Sequence, residues 1–223
     1  MKRRLAAEFL GTMFLLVIVV GSGIMGESLA QGNAAIALLA NSLATGAGLF
    51  VLIQCLGPLS GAHFNPVVTF TELLWGRVDK KDLLPYWLAQ VSGGVAGVML
   101  AHAMFDQVLV QISHKDRLAP HLWLSEVVAT FGLISTIGLA GKKHVEFAPL
   151  SVAAYIVAAY WFTSSTSFAN PAVTVARMLT DTFCGISPAG VLPFIGAQFI
   201  GAAAAFLILL KADQTSKAAG FKS

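Results

Sequence analysis

The sequence predicts an all-α membrane protein: six transmembrane helices plus two re-entrant half-helices, arranged as two inverted repeats. Three observations lead there. The 223 residues are 57% hydrophobic and only 11% charged, with a mean hydropathy of +0.77. They contain six apolar runs of membrane-crossing length. The same landmarks also recur, in the same order, in both halves of the chain.

Composition removes several classes. A soluble domain carries about 25% charged residues, so a chain at 11% lacks the polar surface to stay in water. Disorder needs the opposite bias. Fourteen Lys+Arg against eleven Asp+Glu leave a net charge of +3, and no basic block is fit to grip nucleic acid. Cys55 and Cys184 have no metal-ligand spacing and form no framework, so they read as apolar filler. No cofactor, metal site or nucleic-acid partner is expected. The chain reads as one domain over 1–223, with repeat one at about 5–105 and repeat two at about 122–210.

The runs are Leu5–Met25, Ala34–Leu56, Leu83–Phe105, Leu122–Ala140, Phe147–Phe162 and Val191–Leu210. Each approaches the length of helix that crosses a core of about 30 Å, the fifth only marginally. Nothing alternates, which excludes β-strands. The first run begins Lys2-Arg3-Arg4, and Ser28-Leu29-Ala30 imitates a cleavage site. Its length and Glu8 argue for a retained span rather than a signal peptide. With the N-terminus in the cytoplasm, inner segments hold eleven of the fourteen basic residues: Lys2, Arg3, Arg4, Arg77, Lys80, Lys81, Lys142, Lys143, Lys211, Lys217 and Lys222. Outer segments hold Lys115, Arg117 and Arg177. The positive-inside rule then places both termini in the cytoplasm of a cell whose plasma membrane this chain crosses.

The repeat is read from matched positions. Glu8-Phe9-Leu10-Gly11-Thr12 opens span 1 and Glu126-Val127-Val128-Ala129-Thr130 opens span 4. His63-Phe64-Asn65-Pro66-Val67-Val68-Thr69 follows span 2, and Phe168-Ala169-Asn170-Pro171-Ala172-Val173-Thr174 follows span 5. Ala89-Gln90 precedes Gly93 in span 3, as Ala197-Gln198 precedes Gly201 in span 6. Three spans per unit is odd, so the second unit enters the membrane from the opposite face.

Asn followed by Pro is a helix-start signal, because Asn caps free N–H groups and Pro at the first position loses no needed donor. The apolar run after Asn65 reaches Trp75, and the run after Asn170 reaches about Asp181. Such runs rise about 15 Å, half the hydrocarbon core. Inversion brings one half-helix in from each face, with the Asn-bearing N-termini meeting near the midplane. Irregular backbone at that depth must be buried in protein or line a wet cavity. Facing positive dipole ends and amide donors favour small uncharged hydroxylic solutes and disfavour cations.

At these motifs the chain resembles the major intrinsic proteins, the aquaporin and aquaglyceroporin family. Ser60-Gly61-Ala62-His63-Phe64-Asn65-Pro66-Val67 and Asn170-Pro171-Ala172 carry the resemblance, which runs from Glu8 to Leu210. Val67 departs from the family's usual alanine. The resemblance implies a homotetramer with one pore per subunit, and gives Glu8 and Glu126 the role of accepting hydrogen bonds from the loops before the half-helices. His63 reads as a further loop brace. Counting from the motifs, the family's four-residue selectivity filter falls on Thr45, Ala158, Ser167 and Val173. Water-selective members carry an aromatic, a histidine, a small residue and an arginine there. This chain has none of those aromatics and no arginine, so a wide, neutral, partly hydroxylated ring is expected. Arg177, one turn beyond Val173, is expected in the outer vestibule, and its repeat mate Glu72 in the inner one. The pattern is similar to bacterial aquaglyceroporin-type channels linked to arsenic handling.

The reading is therefore a passive channel for water, glycerol-like polyols and, as a further candidate, arsenous acid. Its partners would be small neutral solutes and the lipid bilayer. A near-exclusive water channel is the alternative. A coupled secondary transporter also uses inverted repeats, but it places ionisable groups at the substrate, where this chain has asparagines. An intramembrane enzyme would need clustered His, Asp or Ser, and His102 is isolated. Gln90 and Gln198 should tie spans 3 and 6 to their neighbours, and Gly93, Gly97 and Gly201 should permit close helix approach.

Overall fold

The computed structural model describes residues 1–143 and 145–218. Lys222 of the basic count lies outside these residues, as do the side chains of Lys142, Lys143 and Lys217. The described residues form eight α-helices and no strand. They are α1 (Lys2–Leu29), α2 (Ala34–Ser60), α3 (Pro66–Leu74), α4 (Lys80–Met104), α5 (Pro120–Lys143), α6 (Ala148–Phe162), α7 (Pro171–Arg177) and α8 (Pro188–Ala218), with a 3-10 turn at Val145–Phe147 before α6.

Five of the helices, α1, α2, α4, α5 and α8, are long and apolar enough to cross a membrane. The sixth, α6, has only 15 residues, or about 22 Å of rise. The long helices carry apolar residues on all sides, because their outer faces would meet lipid rather than water. Leu43, Leu88, Leu124, Leu192 and Leu207 are all exposed.

Local signals set the helix ends. The Asn33 side chain caps α2 by accepting the N–H groups of Ala35 (3.0 Å) and Ile36 (3.2 Å). Gly61 closes α2 with φ +91°, in the left-handed region where glycine is favoured. The first half-helix ends at Leu74, capped by Trp75, as the apolar run suggests. The second is shorter than that run. It stops at Arg177 instead of continuing toward Asp181. There the backbone turns, with Leu179 N–H bonding Ala176 O (3.0 Å) and Ile186 N–H reaching back to Arg177 O (3.3 Å). Burying the end of α7 under this returning segment ends the helix despite continuing hydrophobicity.

The two repeats pack alike. In the first, α1 lies against α2 and α4; in the second, α5 lies against α6 and α8. Glycines set the approach of the tightest pairs. A Cβ on Gly97 would stand 2.2 Å from the Met13 carbonyl oxygen of α1, and one on Gly201 would stand 2.2 Å from the Val127 carbonyl oxygen of α5. Each half-helix touches a long helix from both repeats, α3 and α7 both docking on α4 and α8. The half-helices, together with α2 against α6, thus join the repeats around a central axis.

Candidate functional site

The site begins with two short loops, 61–65 and 166–170. In both, non-glycine residues adopt left-handed backbone: Ala62 (φ +50°) and Phe64 (φ +49°) in one, Ser167 (φ +49°) and Ala169 (φ +47°) in the other. Each such residue costs of order 1–3 kcal/mol and persists only when its surroundings dictate it. Two buried glutamates do so. Glu8 accepts the hydroxyl of Ser60 (2.6 Å), the N–H groups of His63 (3.0 Å) and Phe64 (2.7 Å), and Nε2 of Gln90 (2.8 Å). Glu126 accepts the hydroxyl of Ser165 (2.6 Å), the N–H groups of Phe168 (2.8 Å) and Ala169 (2.8 Å), and Nε2 of Gln198 (2.6 Å). Four donors surround each carboxylate, so a charge fully removed from solvent is still satisfied. The same glutamines donate onward to the hydroxyls of Thr69 and Thr174, at 2.9 Å each. His63 joins the first network through Nδ1, 3.1 Å from Thr69 Oγ1.

At the tip of each loop the asparagine does two things. Asn65 Oδ1 accepts the N–H of Val67 (3.0 Å), and Asn170 Oδ1 accepts those of Ala172 (2.9 Å) and Val173 (3.3 Å). Each Nδ2 crosses to the other repeat, Asn65 donating to Ala169 O and Asn170 to Phe64 O, both at 2.8 Å. A carboxamide has two N–H donors. One is spent on the opposite loop, which leaves one per asparagine for the lumen. Pro66, Val67, Pro171 and Ala172 form the first turns behind them and are buried.

Both asparagines line a cavity of about 260 Å³. One of its walls is apolar, built by Leu15, Val19, Leu49, Ile53, Leu133, Ile137, Val152 and Ile156. Residues 61–65 and 167–170 add a polar stripe. At one end stand Thr45, Tyr160, Ser167, Val173 and Arg177; at the other, Glu72 and Arg77.

Three of the four positions counted for the filter line this cavity: Thr45, Ser167 and Val173. The fourth requires a correction. Ala158 is exposed on the outer face of α6, and Tyr160 lies on the cavity instead, its hydroxyl 3.3 Å from Thr45 Oγ1. Two residues along a helix turn the side chain by about 200°, so a count that is two residues off selects the opposite face. The expected absence of an aromatic at this end is therefore overturned. Ser167 Oγ is buried and finds no hydrogen-bond partner among the described residues, a hydroxyl left over for whatever occupies the cavity.

Arg177 is buried and lines the same end, and its Nε donates to the carbonyl of Cys184. Its guanidinium lies 3.4 Å from the centroid of the Phe168 ring. Arg117, from the α4–α5 loop, stands over the same ring at 4.8 Å. The sequence places Arg117 in an outer segment but gives it no part in the site, because neither spacing nor composition links a loop residue to this place. Burial, and then Arg177 nearby, push its pKa down to about 10, so it stays charged at neutral pH. At the opposite end Arg77 donates to Glu72 (3.0 Å) and lies over the Trp75 ring at 4.9 Å. Cys184 is a free thiol whose Sγ donates to Val19 O (3.2 Å).

Comparison with known proteins gives the family. The family model for major intrinsic proteins matches residues 1–166. This chain belongs to the major intrinsic protein family. It is 51% identical over 207 residues to aquaglyceroporin AqpS of Rhizobium meliloti (strain 1021), covering 93% of this chain and 88% of that one. It is 36% identical over 104 residues to aquaporin Z of Brucella melitensis biotype 1, covering 47% and 45%. The X-ray structure of the aquaglyceroporin from Plasmodium falciparum superposes with a TM-score of 0.71 at 20% identity, over 92% of this chain and 94% of that one, so the two share the fold. As a major intrinsic protein the chain is a multi-pass membrane channel for small uncharged solutes.

Proposed function

We propose that this major intrinsic protein conducts water and glycerol-like polyols passively through the cavity between its two half-helices, with arsenous acid within its size and hydroxyl range. The observation that carries the reading is the composition of the lining. A polar stripe with one spare amide hydrogen from each of Asn65 and Asn170 faces an apolar wall. A polyol has the same two sides, hydroxyls on one edge and C–H groups on the other. It can exchange water for the stripe while its carbons rest on the wall.

Thr45, Tyr160, Ser167 and Val173 are the residues we assign to the constriction. Valine at 173 leaves room that an arginine would fill, and the unpartnered Ser167 hydroxyl offers a hydrogen bond in its place. Arg177 and Glu72 serve the outer and inner vestibules, and Glu8, Glu126 and His63 hold the loops. The same reading has the chain act without catalysis, as a homotetramer in a bacterial inner membrane, with both termini cytoplasmic. The basic-residue asymmetry supports that orientation.

Stopped-flow light scattering on proteoliposomes tests the proposal. Wild-type protein should pass water and glycerol without dependence on a proton gradient. Val173→Arg should cut glycerol flux by about tenfold while water flux falls less, since added bulk at a narrow ring excludes the larger solute first. Water flux with no flux of glycerol, urea or arsenous acid would leave a near-exclusive water channel.

A further inference from the structure

We propose that Arg117 is a selectivity residue of this channel: it locks the loop carrying Ser167 to the turn that aims Arg177, and together with Arg177 it supplies the positive charge that turns cations away. The inference rests on the reading of the constriction given above.

Arg117 Nε donates to Gly185 O at 3.0 Å and Nη1 to Ser165 O at 2.9 Å. Both connections lead to the ring. The Ser165 hydroxyl accepts the N–H of Ser167 (3.2 Å) and donates to Glu126 (2.6 Å). Gly185 follows Cys184, whose carbonyl accepts Arg177 Nε. One side chain thus holds a carbonyl on each side of the Arg177 end of the cavity, and both guanidiniums share the Phe168 ring. The loop around Arg117 is itself anchored to the returning segment, with Ser113 N–H on Met178 O (2.9 Å) and Ser187 N–H on Lys115 O (2.8 Å).

Structure alone does not call for a charge here. The two carbonyls call for donors, which a neutral amide could offer without the cost of stripping water from a guanidinium, yet the residue here is an arginine only 8% exposed. Neither Arg117 nor Arg177 forms an ion pair among the described residues. Glu126 pairs with neither of them, its carboxylate being held by Ser165, Phe168, Ala169 and Gln198. A cation entering this end meets the Arg177 guanidinium on the cavity wall, with the Arg117 guanidinium buried over the same Phe168 ring, in surroundings that screen poorly. A neutral solute carries no charge for them to repel. With valine at 173, the charge that guards the passage comes from outside the ring. The planar fork also explains arginine rather than lysine, because two carbonyls in fixed directions need two fixed donors.

Two variants separate fork from charge: Arg117→Gln and Arg117→Lys, each reconstituted and compared with wild type for potassium leak and for the ribitol-to-glycerol permeability ratio. Arg117→Gln should raise potassium leak by about tenfold, as expected when a buried charge beside a low-dielectric passage is removed, and should shift the polyol ratio. Arg117→Lys keeps the charge and loses the fork, so its leak should stay near wild type while its polyol ratio shifts. A purely structural role would lower all fluxes together and leave ratio and leak unchanged. Wild-type leak and wild-type ratio in Arg117→Gln would overturn the proposal. Should that variant not insert, a wild-type ratio in Arg117→Lys overturns it. Val173→Arg, run alongside, separates the two readings. Unimpaired glycerol flux there sinks the ring assignment, whereas blocked flux there with unchanged Arg117 variants sinks only this inference.

Discussion

Asn65 and Asn170 hold each other's loops: the amide of Asn65 donates to Ala169 O and the amide of Asn170 to Phe64 O, both at 2.8 Å. The two residues are 105 positions apart in the chain, yet each completes a backbone that the other repeat supplies. The reciprocity makes the centre of the channel a joint product of both repeats, and it ties pore chemistry to fold stability.

Asn170→Asp tests that coupling. The carboxylate can still cap α7 but brings an oxygen against Phe64 O, where a donor is required. Losing one buried hydrogen bond and leaving its acceptor unpaired costs about 1–3 kcal/mol, to be read as a lowered melting temperature in detergent. Solute flux should fall in the same variant, because the spare donor is lost with the paired one.

The helix approach makes a second prediction with a built-in control. Gly201→Ala would drive its methyl into Val127 O, and overpacking of a closed interface costs about 1–3 kcal/mol. Gly196 lies on the same helix with nothing within 4 Å of an added Cβ. There alanine should be neutral or stabilise by up to about 1 kcal/mol through helix propensity. Comparing thermal unfolding of the two single variants decides it.

Tyr160 and Ala158 give opposite expectations for two residues on one helix. Ala158→Val should leave the water-to-glycerol permeability ratio unchanged, since position 158 is exposed on the outer face of α6. Tyr160→Phe removes the hydroxyl that meets Thr45 Oγ1 and should change that ratio by a few-fold, about the worth of one hydrogen bond. A change at 158 with none at 160 would restore the position counted from the motif.

Acid should loosen one surface clasp. The N–H of His114 donates to Asp181 Oδ1 (2.9 Å) and its ring meets Oδ2 (3.0 Å). The backbone hydrogen bond, then the ring contact, hold the Asp181 carboxyl below its ordinary value of 3.8. The folded pKa is the lower one. The clasp therefore stabilises above pH 3.8 and is lost as pH falls through the depressed folded value. The protection of the His114 amide against hydrogen exchange, relative to its intrinsic rate at each pH, should fall over that range in wild type and be low throughout in Asp181→Ala.

Much of this protein is legible in its residues. Apolar length, the matched glutamates, the Gln-x-x-Gly pairs and the two Asn-Pro signals depend on local chemistry and chain order. They yield span number, inversion and the place where the half-helices begin. Side-chain direction is a different quantity. Ala158 and Tyr160 are two residues apart, and the rotation of α6 about its own axis decides which of them faces the lumen. The end of α7 at Arg177 is set by the segment that returns over it, although the apolar run continues. Arg117 reaches Phe168 only because the α4–α5 loop lies along residues 178–187. Which groups must be buried, capped or paired follows from residue type and is written in the chain. Which side chains share the passage follows from how the helices pack, because a helix turns 100° with each residue and no local pattern records the angle at which two distant segments meet.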